Sequence, residues 1–274
     1  KLCVVIPFRD GCHGRNQGVG RFKNLETLVN YLPDFLLRSK RHNFDILIVE
    51  QTRRGLFNKG ALFNVGVNIS ESRGCDYVVL HDVDQIPTNP RNTYAYRRLP
   101  THMCTYSTQY DYLNQHGSYV GGVLMVTMED YKEMNGYSNL YHGWGLEDND
   151  QWYRLKRTFG DYQRLPQLIG HYRDLPHTRV EGLDLTDSYN ESQKVLDRLI
   201  ESNGTEYLAT DGYAQLDEHA RIVEMKVSDL IHRDRCEQGS CPPNLSSNLV
   251  QVLVDILKDG MVQPSCETGT ESQE

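Results

Sequence analysis

Three apolar runs typical of buried strands alternate with helical patterns in the first 84 residues of the chain. The runs are LCVVIPF (2–8), FDILIVEQ (44–51) and DYVVLHDVD (76–84). Between them, residues 22–37 and 57–72 place apolar side chains at helical spacing. Strands that alternate with helices in this way form a mostly parallel sheet flanked by helices. The order therefore predicts an α/β fold, in which ligands bind beyond the carboxyl ends of the strands.

The middle of the chain continues with strands and one amphipathic helix. YVGGVLMVT (119–127) predicts a strand whose two glycines allow close backbone approach. Trp152, Leu155 and Phe159 form the apolar stripe of a helix, and RIVEMKV (221–227) predicts a late strand.

The sequence predicts a break in the first helix at a proline and a domain boundary near residue 235. Pro33 lies inside the first helical pattern and is expected to kink or divide it. After residue 235 the sequence becomes loop-like and polar, so residues 1–235 are predicted to form the main domain. Residues 236–274 are predicted to be a peripheral, partly disordered extension, with LVQVLVDIL (249–257) as a short helix.

Net charge argues mildly against one class of partner, and no apolar run in the chain reaches the length of a membrane span. The formal net charge is -8, and no basic cluster is denser than that of Arg38, Lys40 and Arg41, which argues against a nucleic-acid-binding protein. The longest apolar run, near residues 2–8, has the length of a strand. Because the chain begins at Lys1, we expect a fragment whose signal or membrane anchor lies upstream.

Cysteines and sequons favour a secretory compartment. The chain has seven cysteines and no CxxC pair, which weakens a zinc interpretation. Cys236 and Cys241 are close enough in sequence to form a disulfide, and the odd count leaves at least one thiol unpaired. Sequons for N-glycosylation occur at Asn68, Asn190, Asn203 and Asn244.

The first acidic cluster is HDVD at the end of the third predicted strand. Asp82 and Asp84, two positions apart, could hold a divalent cation that also contacts a diphosphate. A solvated acidic turn is the structural alternative, and the position at a strand end favours the functional one. His171 or His177 could complete such a metal site, although a single histidine is more often structural.

The second acidic cluster follows a tryptophan between two glycines, in HGWGLEDND (142–150). Acidic residues at a helix N-terminus complement the helix dipole, which is the structural alternative. That alternative does not explain Trp144, whose flanking glycines favour an exposed ring that binds a sugar or base face. Neighbouring carboxylates raise each other's pKa, which suits a general base. No GxSxG, Walker A, HExxH or GxGxxG motif is present.

Taken in order, five blocks resemble one family. The blocks are VVIPFRD, FNKGALFNVG, DYVVLHDVDQIP, YVGGVLMV and NGYSNLYHGWGLEDND, and together they resemble the beta-1,4-galactosyltransferases over residues 3–180. DGYAQLDEHARIVEMKV is similar to the family's last strand region. The resemblance implies a GT-A fold and an Mn²⁺-dependent, inverting transfer of galactose from UDP-galactose to a glycan acceptor. It also implies a Golgi lumenal enzyme with a type II membrane anchor.

The resemblance assigns catalytic and metal-binding roles to matching positions. Asp148 would be the catalytic base, and Glu147 would hold the sugar. Asp84 and His177 would bind Mn²⁺. Asp174 stands where many members have a methionine ligand, and we propose it as the third, because a carboxylate suits Mn²⁺ at least as well.

Donor and acceptor contacts follow in the same way. The acceptor would contact Trp144, Asp148 and Asn149, of which Asn149 replaces a usual acid. Lys59 stands where the family usually has arginine, and a tyrosine at position 119 resembles galactose-selective members. The residues that would contact the UDP-sugar are Pro7, Phe8, Arg9, Phe57, Lys59, Asp82, Val83, Tyr119 and Trp144.

The branch of the family remains open. His81 and YVGG resemble the xylose-directed members that build the proteoglycan linker, which we slightly favour. HTR (177–179) resembles the N-acetylglucosamine-directed type. His142 replaces an aromatic residue, and Gly11 replaces an arginine of the N-acetylglucosamine-directed enzymes. Alternatives are a UDP-GalNAc transferase, a non-catalytic sugar-binding homologue and a metal-dependent phosphodiesterase, which would explain DVD but not GWG.

Overall fold

Strands and helices alternate along the first part of the chain, as the apolar pattern predicts. The computed structural model describes residues 1–10, 20–53, 55–108, 118–176, 185–202, 205–227 and 248–257. The helices are α1 Arg21–Arg38, α2 Lys59–Ser72, α3 Met128–Glu133, α4 Glu147–Phe159, α5 Leu185–Glu201, α6 Thr205–Thr210 and a 3-10 helix at Tyr213–Glu218. The strands are β1 Leu2–Phe8, β2 Phe44–Gln51, β3 Tyr77–His81, β4 Gln85–Pro87, β5 Thr101–His102, β6 Tyr106–Ser107, β7 Val123–Thr127, β8 Gln163–Arg164, β9 His171–Asp174, β10 Ala220–Val227 and β11 Leu249–Ile256.

Eight of these strands form one mixed sheet in the order β10-β11-β2-β1-β3-β7-β5-β8. Its centre is parallel, since β11, β2, β1 and β3 run in one direction. The pairs β10/β11, β3/β7 and β5/β7 are antiparallel, and β5/β8 is parallel. The carboxyl ends of β1 and β3 therefore lie at the same edge of the sheet, where a ligand site is expected.

The alternating side chains of β1 enter two separate cores, one on each face of the sheet. Leu2, Val4 and Ile6 pack with the apolar side of α1, whereas Val5 packs with α2 on the opposite face. Helix α2 lies directly on the sheet, because a β-carbon on Gly66 would be 2.1 Å from Val5 Cγ1. The result is a sheet between two helical layers.

Helix α1 continues through Pro33, so the expected division of this helix is wrong. The helix runs without interruption from Arg21 to Arg38, and Pro33 is buried within it. An internal proline costs about 3 kcal/mol. Six apolar side chains of the helix are buried to within 3% exposure, and each stabilises the fold by roughly 1.5–3 kcal/mol, which outweighs that cost. These residues are Leu25, Leu28, Val29, Leu32, Phe35 and Leu36.

The helix predicted for residues 249–257 is a strand. Leu249–Ile256 forms β11, which pairs with β2 on one side and with β10 on the other. Val250, Val252 and Val254 are buried, and β-branched residues favour a strand at such a site. A short apolar run can be a strand or a buried helix segment, and periodicity alone does not separate the two. This segment is interior rather than peripheral, while the domain boundary at residue 235 stays a prediction.

Two strands are shorter than predicted, β3 at its end and β7 at its start, and both boundaries lie beside the candidate site. Strand β3 ends at His81, so Asp82 and Asp84 lie in the turn between β3 and β4. Strand β7 begins only at Val123, because Gly122 has a φ of +82° that a regular strand does not allow.

A disulfide between Cys3 and Cys75 connects β1 to the residues just before β3. The sequence did not single out this pair, and Cys236 and Cys241 lie outside the described residues. Cys104 is a free, buried cysteine. In the part of the chain that the structure describes, no helix has both the length and the apolar character needed to cross a membrane.

Candidate active site

The Asp82–Asp84 turn rests on a buried histidine. His81 Nδ1 lies 2.9 Å from the carbonyl oxygen of Asp82, and Nε2 lies 2.9 Å from Tyr94 Oη. A carbonyl can only accept, so Nδ1 carries the proton and Nε2 accepts from Tyr94. Burial lowers the pKa of His81 to about 4, which keeps the ring neutral. The histidine thus supports the turn, and both of its ring nitrogens have protein partners.

Asp84 faces the start of α1. Its Oδ2 accepts a hydrogen bond from Arg21 Nη1 in an ion pair, and its side chain is 13% exposed. The carbonyl oxygen of Asp84 accepts from Leu175 N at 2.7 Å, which brings the end of β9 beside the turn. Arg21 was not among the predicted site residues, because nothing in its sequence position signals this contact.

Asp174 lies beside the turn, opposite Gln85 in the pairing of β4 with β9. Gln85 Nε2 donates to Oδ1 at 2.6 Å, and Thr108 Oγ1 donates to Oδ2 at 2.8 Å. Carboxylate oxygens of Asp84 and Asp174 suit a hard divalent cation. His177 lies outside the described residues, so the predicted three-residue metal site stays a prediction.

Among the described residues, three potential metal ligands come together at one place, formed by Cys3, Asp45 and Cys75. Two of these are joined as a disulfide and offer no thiolate. The donor chemistry of the turn between β3 and β4 therefore fits a cation better than this cluster does.

Lys59, the first residue of α2, lies among three carboxylates. Its Nζ is 2.8 Å from Asp148 Oδ2, 2.9 Å from Glu147 Oε1 and 3.6 Å from Asp82 Oδ2. The lysine side chain is 12% exposed. This contact joins the aspartate turn after β3 to the acidic start of α4, two regions that the sequence separates by more than sixty residues.

The acidic cluster begins α4 at Glu147, as the structural alternative of a helix N-terminus predicts. Three residues before it have positive φ: Gly143 (+95°), Gly145 (+102°) and Leu146 (+72°). The left-handed region is readily open to glycine but strained for leucine. These glycines allow the loop to place Glu147 and Asp148 at Lys59, so the functional and structural interpretations apply together.

Trp144 is exposed, as predicted for a ring between two glycines. Its side chain is 49% exposed, and its ring centroid lies 5.9 Å from that of Tyr189 on α5. The backbone N–H of Trp144 donates to Ser188 Oγ at 2.8 Å. An exposed indole fixed by α5 is a suitable surface for a sugar face.

Asp148 is buried and lies close to two tyrosine hydroxyls. Tyr137 Oη donates to Asp148 Oδ1 at 3.4 Å. A β-carbon on Gly121 would lie 2.2 Å from Tyr119 Oη and 2.3 Å from Asp148 Oδ2, so these two oxygens are near each other. Glycine at position 121 leaves the room in which they meet, which gives the GG motif a role in the site.

Burial and charge together set the proton affinities in this cluster. Burial raises the pKa of Asp148 to about 7, and Lys59 opposes this rise while Glu147 and Asp82 add to it. Burial also raises the pKa of Asp82 to about 6. Burial alone would lower the pKa of Lys59, but attraction to the three carboxylates raises it well above its usual value. Asp148 is consequently a carboxylate that can take up a proton near neutral pH.

The remaining predicted donor residues differ in what they expose. Arg9 lies at the end of β1, where its guanidinium carbon is 5.6 Å from the Phe57 ring centroid and Nη1 donates to Gly55 O at 2.8 Å. Phe8 and Val83 are 3% and 6% exposed and pack in the core, and their contact with a donor stays a prediction. Pro7 is buried within β1.

Asn149 and Asp150 take different directions on α4. Asn149 Nδ2 donates to Ser118 O at 2.5 Å, next to the segment that carries Tyr119. Asp150, which the sequence groups with the other acids, is fully buried and forms an ion pair with Arg154 at 2.5 Å. Asp150 is therefore a core residue, and the i,i+4 spacing to Arg154 was the signal that could have shown it.

Two family models cover much of the chain. One, described as the N-terminal region of glycosyl transferase group 7, matches residues 1–97. The other, described as the N-terminal domain of galactosyltransferase, matches residues 101–178.

Relatives with curated functions agree with these models. The chain is 37% identical over 190 residues to a xylosylprotein 4-beta-galactosyltransferase of Caenorhabditis elegans, covering 69% of this chain and 56% of that protein. It is 34% identical over 178 residues to beta-1,4-galactosyltransferase 5 of Sus scrofa, covering 65% and 43%. The chain thus spans about half the length of the curated relatives it matches.

Solved structures share the fold. The catalytic domain of Drosophila beta1,4galactosyltransferase 7 in complex with xylobiose superposes with a TM-score of 0.68 at 23% identity, covering 94% of each chain. A mutant of the same enzyme with manganese, UDP-Gal and xylobiose gives a TM-score of 0.65 at 22% identity, again over 94% of each chain. The predicted GT-A fold is confirmed by this likeness. From the family models, the curated relatives and the shared fold together, the chain belongs to the beta-1,4-galactosyltransferase family.

Proposed function

We propose that this chain transfers galactose from UDP-galactose to a sugar hydroxyl with inversion at the anomeric carbon, in the presence of Mn²⁺. The observation that carries the proposal is the contact of Lys59 with both Asp82 and Asp148. It places the aspartate turn suited to a metal and diphosphate beside a buried carboxylate suited to a base. The exposed ring of Trp144 lies on the loop that leads into the same helix.

The reaction can be described from the chain's own residues. Asp148 removes the proton of the acceptor hydroxyl, whose oxygen forms a bond to the anomeric carbon while the bond to UDP breaks. Attack opposite the leaving UDP inverts the anomeric centre and gives a β linkage. Glu147 and Trp144 would hold the sugars. A bound Mn²⁺ at Asp84, with Asp174 and His177 as further candidates, would neutralise the charge that develops on the diphosphate.

We propose xylose as the acceptor sugar in preference to N-acetylglucosamine. A xylosylprotein 4-beta-galactosyltransferase is among the relatives, and a structural neighbour was solved with xylobiose.

The test is UDP release from UDP-galactose with Mn²⁺, on a β-xyloside and a β-N-acetylglucosaminide in parallel. We expect turnover on the xyloside that is lost with EDTA and in Asp148→Asn. UDP-GalNAc replaces UDP-galactose in a matched series, and preference for it would identify the alternative donor. Binding of UDP and Mn²⁺ with no turnover on either acceptor would contradict the proposal and favour a non-catalytic homologue.

Arg21→Gln is expected to tighten Mn²⁺ binding in the absence of nucleotide. Arg21 occupies Asp84 Oδ2 in an ion pair, which a cation at this carboxylate must displace. A partly exposed ion pair is worth about 0.2–1 kcal/mol, so the dissociation constant should fall about 1.5- to 5-fold. Electron paramagnetic resonance of free Mn²⁺ measures it. Arg91→Gln, at an exposed position, is the control, and unchanged or weaker affinity in Arg21→Gln would refute the competition.

We further propose residence in the Golgi lumen, with a type II membrane anchor on the full protein. The Cys3–Cys75 disulfide and the sequons at the exposed Asn68 and Asn190 support an oxidising, glycosylating compartment. Expression in animal cells should give a form whose electrophoretic mobility rises after glycosidase treatment. Unchanged mobility together with reduced cysteines would contradict this location.

A further inference from the structure

Lys59 is the cation around which the acidic site is assembled. In the part of the chain that the structure describes, no other lysine or arginine forms an ion pair with Asp82, Glu147 or Asp148. The ammonium therefore lies among three carboxylates, which would repel one another at these distances without it.

The backbone of Lys59 is fixed from two directions. Asn58 caps α2, since its Oδ1 accepts from Ala61 N at 2.9 Å, and its Nδ2 donates to Asn139 O at 2.7 Å. A β-carbon on Gly60 would lie 2.2 Å from Ser138 O, so α2 and the segment at 137–139 are in close contact. The lysine consequently starts from a rigid position beside Tyr137.

The two oxygens of Asp148 have different surroundings. Oδ2 accepts from Lys59 Nζ at 2.8 Å and lies near Tyr119 Oη. Among the described residues, the hydrogen-bond partner of Oδ1 is the Tyr137 hydroxyl at 3.4 Å, which is long for an O–H···O hydrogen bond. Oδ1 is therefore the oxygen with the weaker existing partner.

We propose that Lys59 is a positioning residue that holds Oδ2 of Asp148 and leaves Oδ1 to receive the proton of the acceptor hydroxyl. This inference rests on the proposed function and extends it, since resemblance alone placed Lys59 only among donor contacts. The proton moves from the hydroxyl to Oδ1, and the oxygen's electron pair forms the new bond to the anomeric carbon. The bond from that carbon to UDP breaks, and its electron pair leaves with UDP. Lys59 keeps its own proton throughout.

If Lys59 positions the base, its charge also sets the pH dependence of activity, which a purely structural lysine would not do. Lys59 lowers the pKa of Asp148 against the effect of burial. An opposite charge at this distance lowers the pKa of a carboxyl group by about 1–3. A base works only when deprotonated, so activity falls as pH falls through its pKa. Loss of the ammonium raises the pKa of Asp148. The fall in activity on the acid side of the pH profile, its acid limb, then occurs at higher pH. The groups that face Asp148 are Lys59, Asp82, Glu147, Tyr119 and Tyr137.

The experiment compares the pH profiles of kcat/KM for wild type, Lys59→Met and Lys59→Arg. We expect the acid limb of Lys59→Met to lie about one pH unit or more higher, with activity partly recovered at high pH. Lys59→Arg keeps a cation and should retain a limb close to wild type. Lys132→Met removes an equal charge from an exposed ion pair with Glu71 and should leave the profile unchanged.

An independent measurement covers the case in which Lys59→Met is too slow to assay. Carboxyl ¹³C titration by NMR, with the Asp148 signal assigned from Asp148→Asn, should show a higher pKa for Asp148 in Lys59→Met. An unshifted Asp148 pKa, or a uniform loss of rate at every pH, would overturn the role of Lys59. A wild-type enzyme that is inactive on both acceptors would instead contradict the proposed function.

Discussion

Asp148→Asn is expected to lower kcat by about 10²–10⁴-fold on the productive acceptor, with little change in KM for UDP-galactose. The amide is similar in shape to the carboxylate, so its oxygen can still accept from Lys59. Its NH2 then stands in place of Oδ1 and cannot accept a proton from the hydroxyl. Since Asp148 is buried beside Lys59, no solvent base replaces it easily. Initial rates of UDP release at saturating acceptor measure the effect.

Asp161→Asn provides the matched control for this substitution. Asp161 is exposed just beyond the end of α4, and its replacement should leave kcat and KM unchanged. If Asp148→Asn keeps more than a tenth of the wild-type kcat, another group removes the proton. Loss of UDP binding in this variant would mean that Asp148 acts on the donor and is not the base.

Arg154→Met is expected to destabilise the fold by about 3–5 kcal/mol, because it removes one partner of a buried charge network. Arg154 is fully buried; its Nε is 2.5 Å from Asp150 Oδ1, and its Nη2 is 3.4 Å from Asp211 Oδ2. Its Nη1 also donates to the Asp211 carbonyl at 2.9 Å. Without the guanidinium, two buried carboxylates lose their counter-ion. Urea unfolding monitored by circular dichroism measures the change.

Arg157→Met, at an exposed position on the same helix, is the control and should change the unfolding free energy by less than about 0.5 kcal/mol. The double variant Asp150→Asn with Arg154→Met should be less destabilised than the sum of the single variants, since the amide removes one of the orphaned charges. Additive losses would show that Arg154 contributes through packing alone. The network joins α4 to the segment before the 3-10 helix, so its loss also loosens the helix that carries Asp148.

The alternation of strands and helices could be predicted because burial leaves a period in the sequence. The runs at residues 2–8 and 44–51 became β1 and β2 with the predicted bounds. β11 could not be assigned, because a short apolar run fits a strand and a buried helix segment equally well by periodicity alone. Helix α1 shows the complementary case, where tertiary burial outweighs the local preference of Pro33.

Candidate site residues could be named from the sequence where they stand together in a short motif. Contacts between residues far apart in the sequence were missed. Asp84, Trp144 and Asp148 stand in recognisable motifs, and the structure places them as a turn, an exposed ring and a buried carboxylate. The ion pair of Arg21 with Asp84 depends on the start of α1 reaching across the sheet edge, which no spacing reveals. The separation of Asp150 from its acidic neighbours follows from the rotation of α4, which turns it into the core.

The position of β11 has a consequence for synthesis on the ribosome. Strand β2 pairs with β1 on one side, but its other partner, Leu249–Ile256, is encoded about two hundred residues later. At about 5–20 residues per second, translation leaves that edge of β2 open for roughly 10–40 s. An open edge is a template for pairing with another chain, so nascent copies on one message are exposed to misassembly during this interval. Of the described strands, the last to be made closes the interior of the sheet, and a chain cut before residue 249 would lose an inner strand instead of a tail.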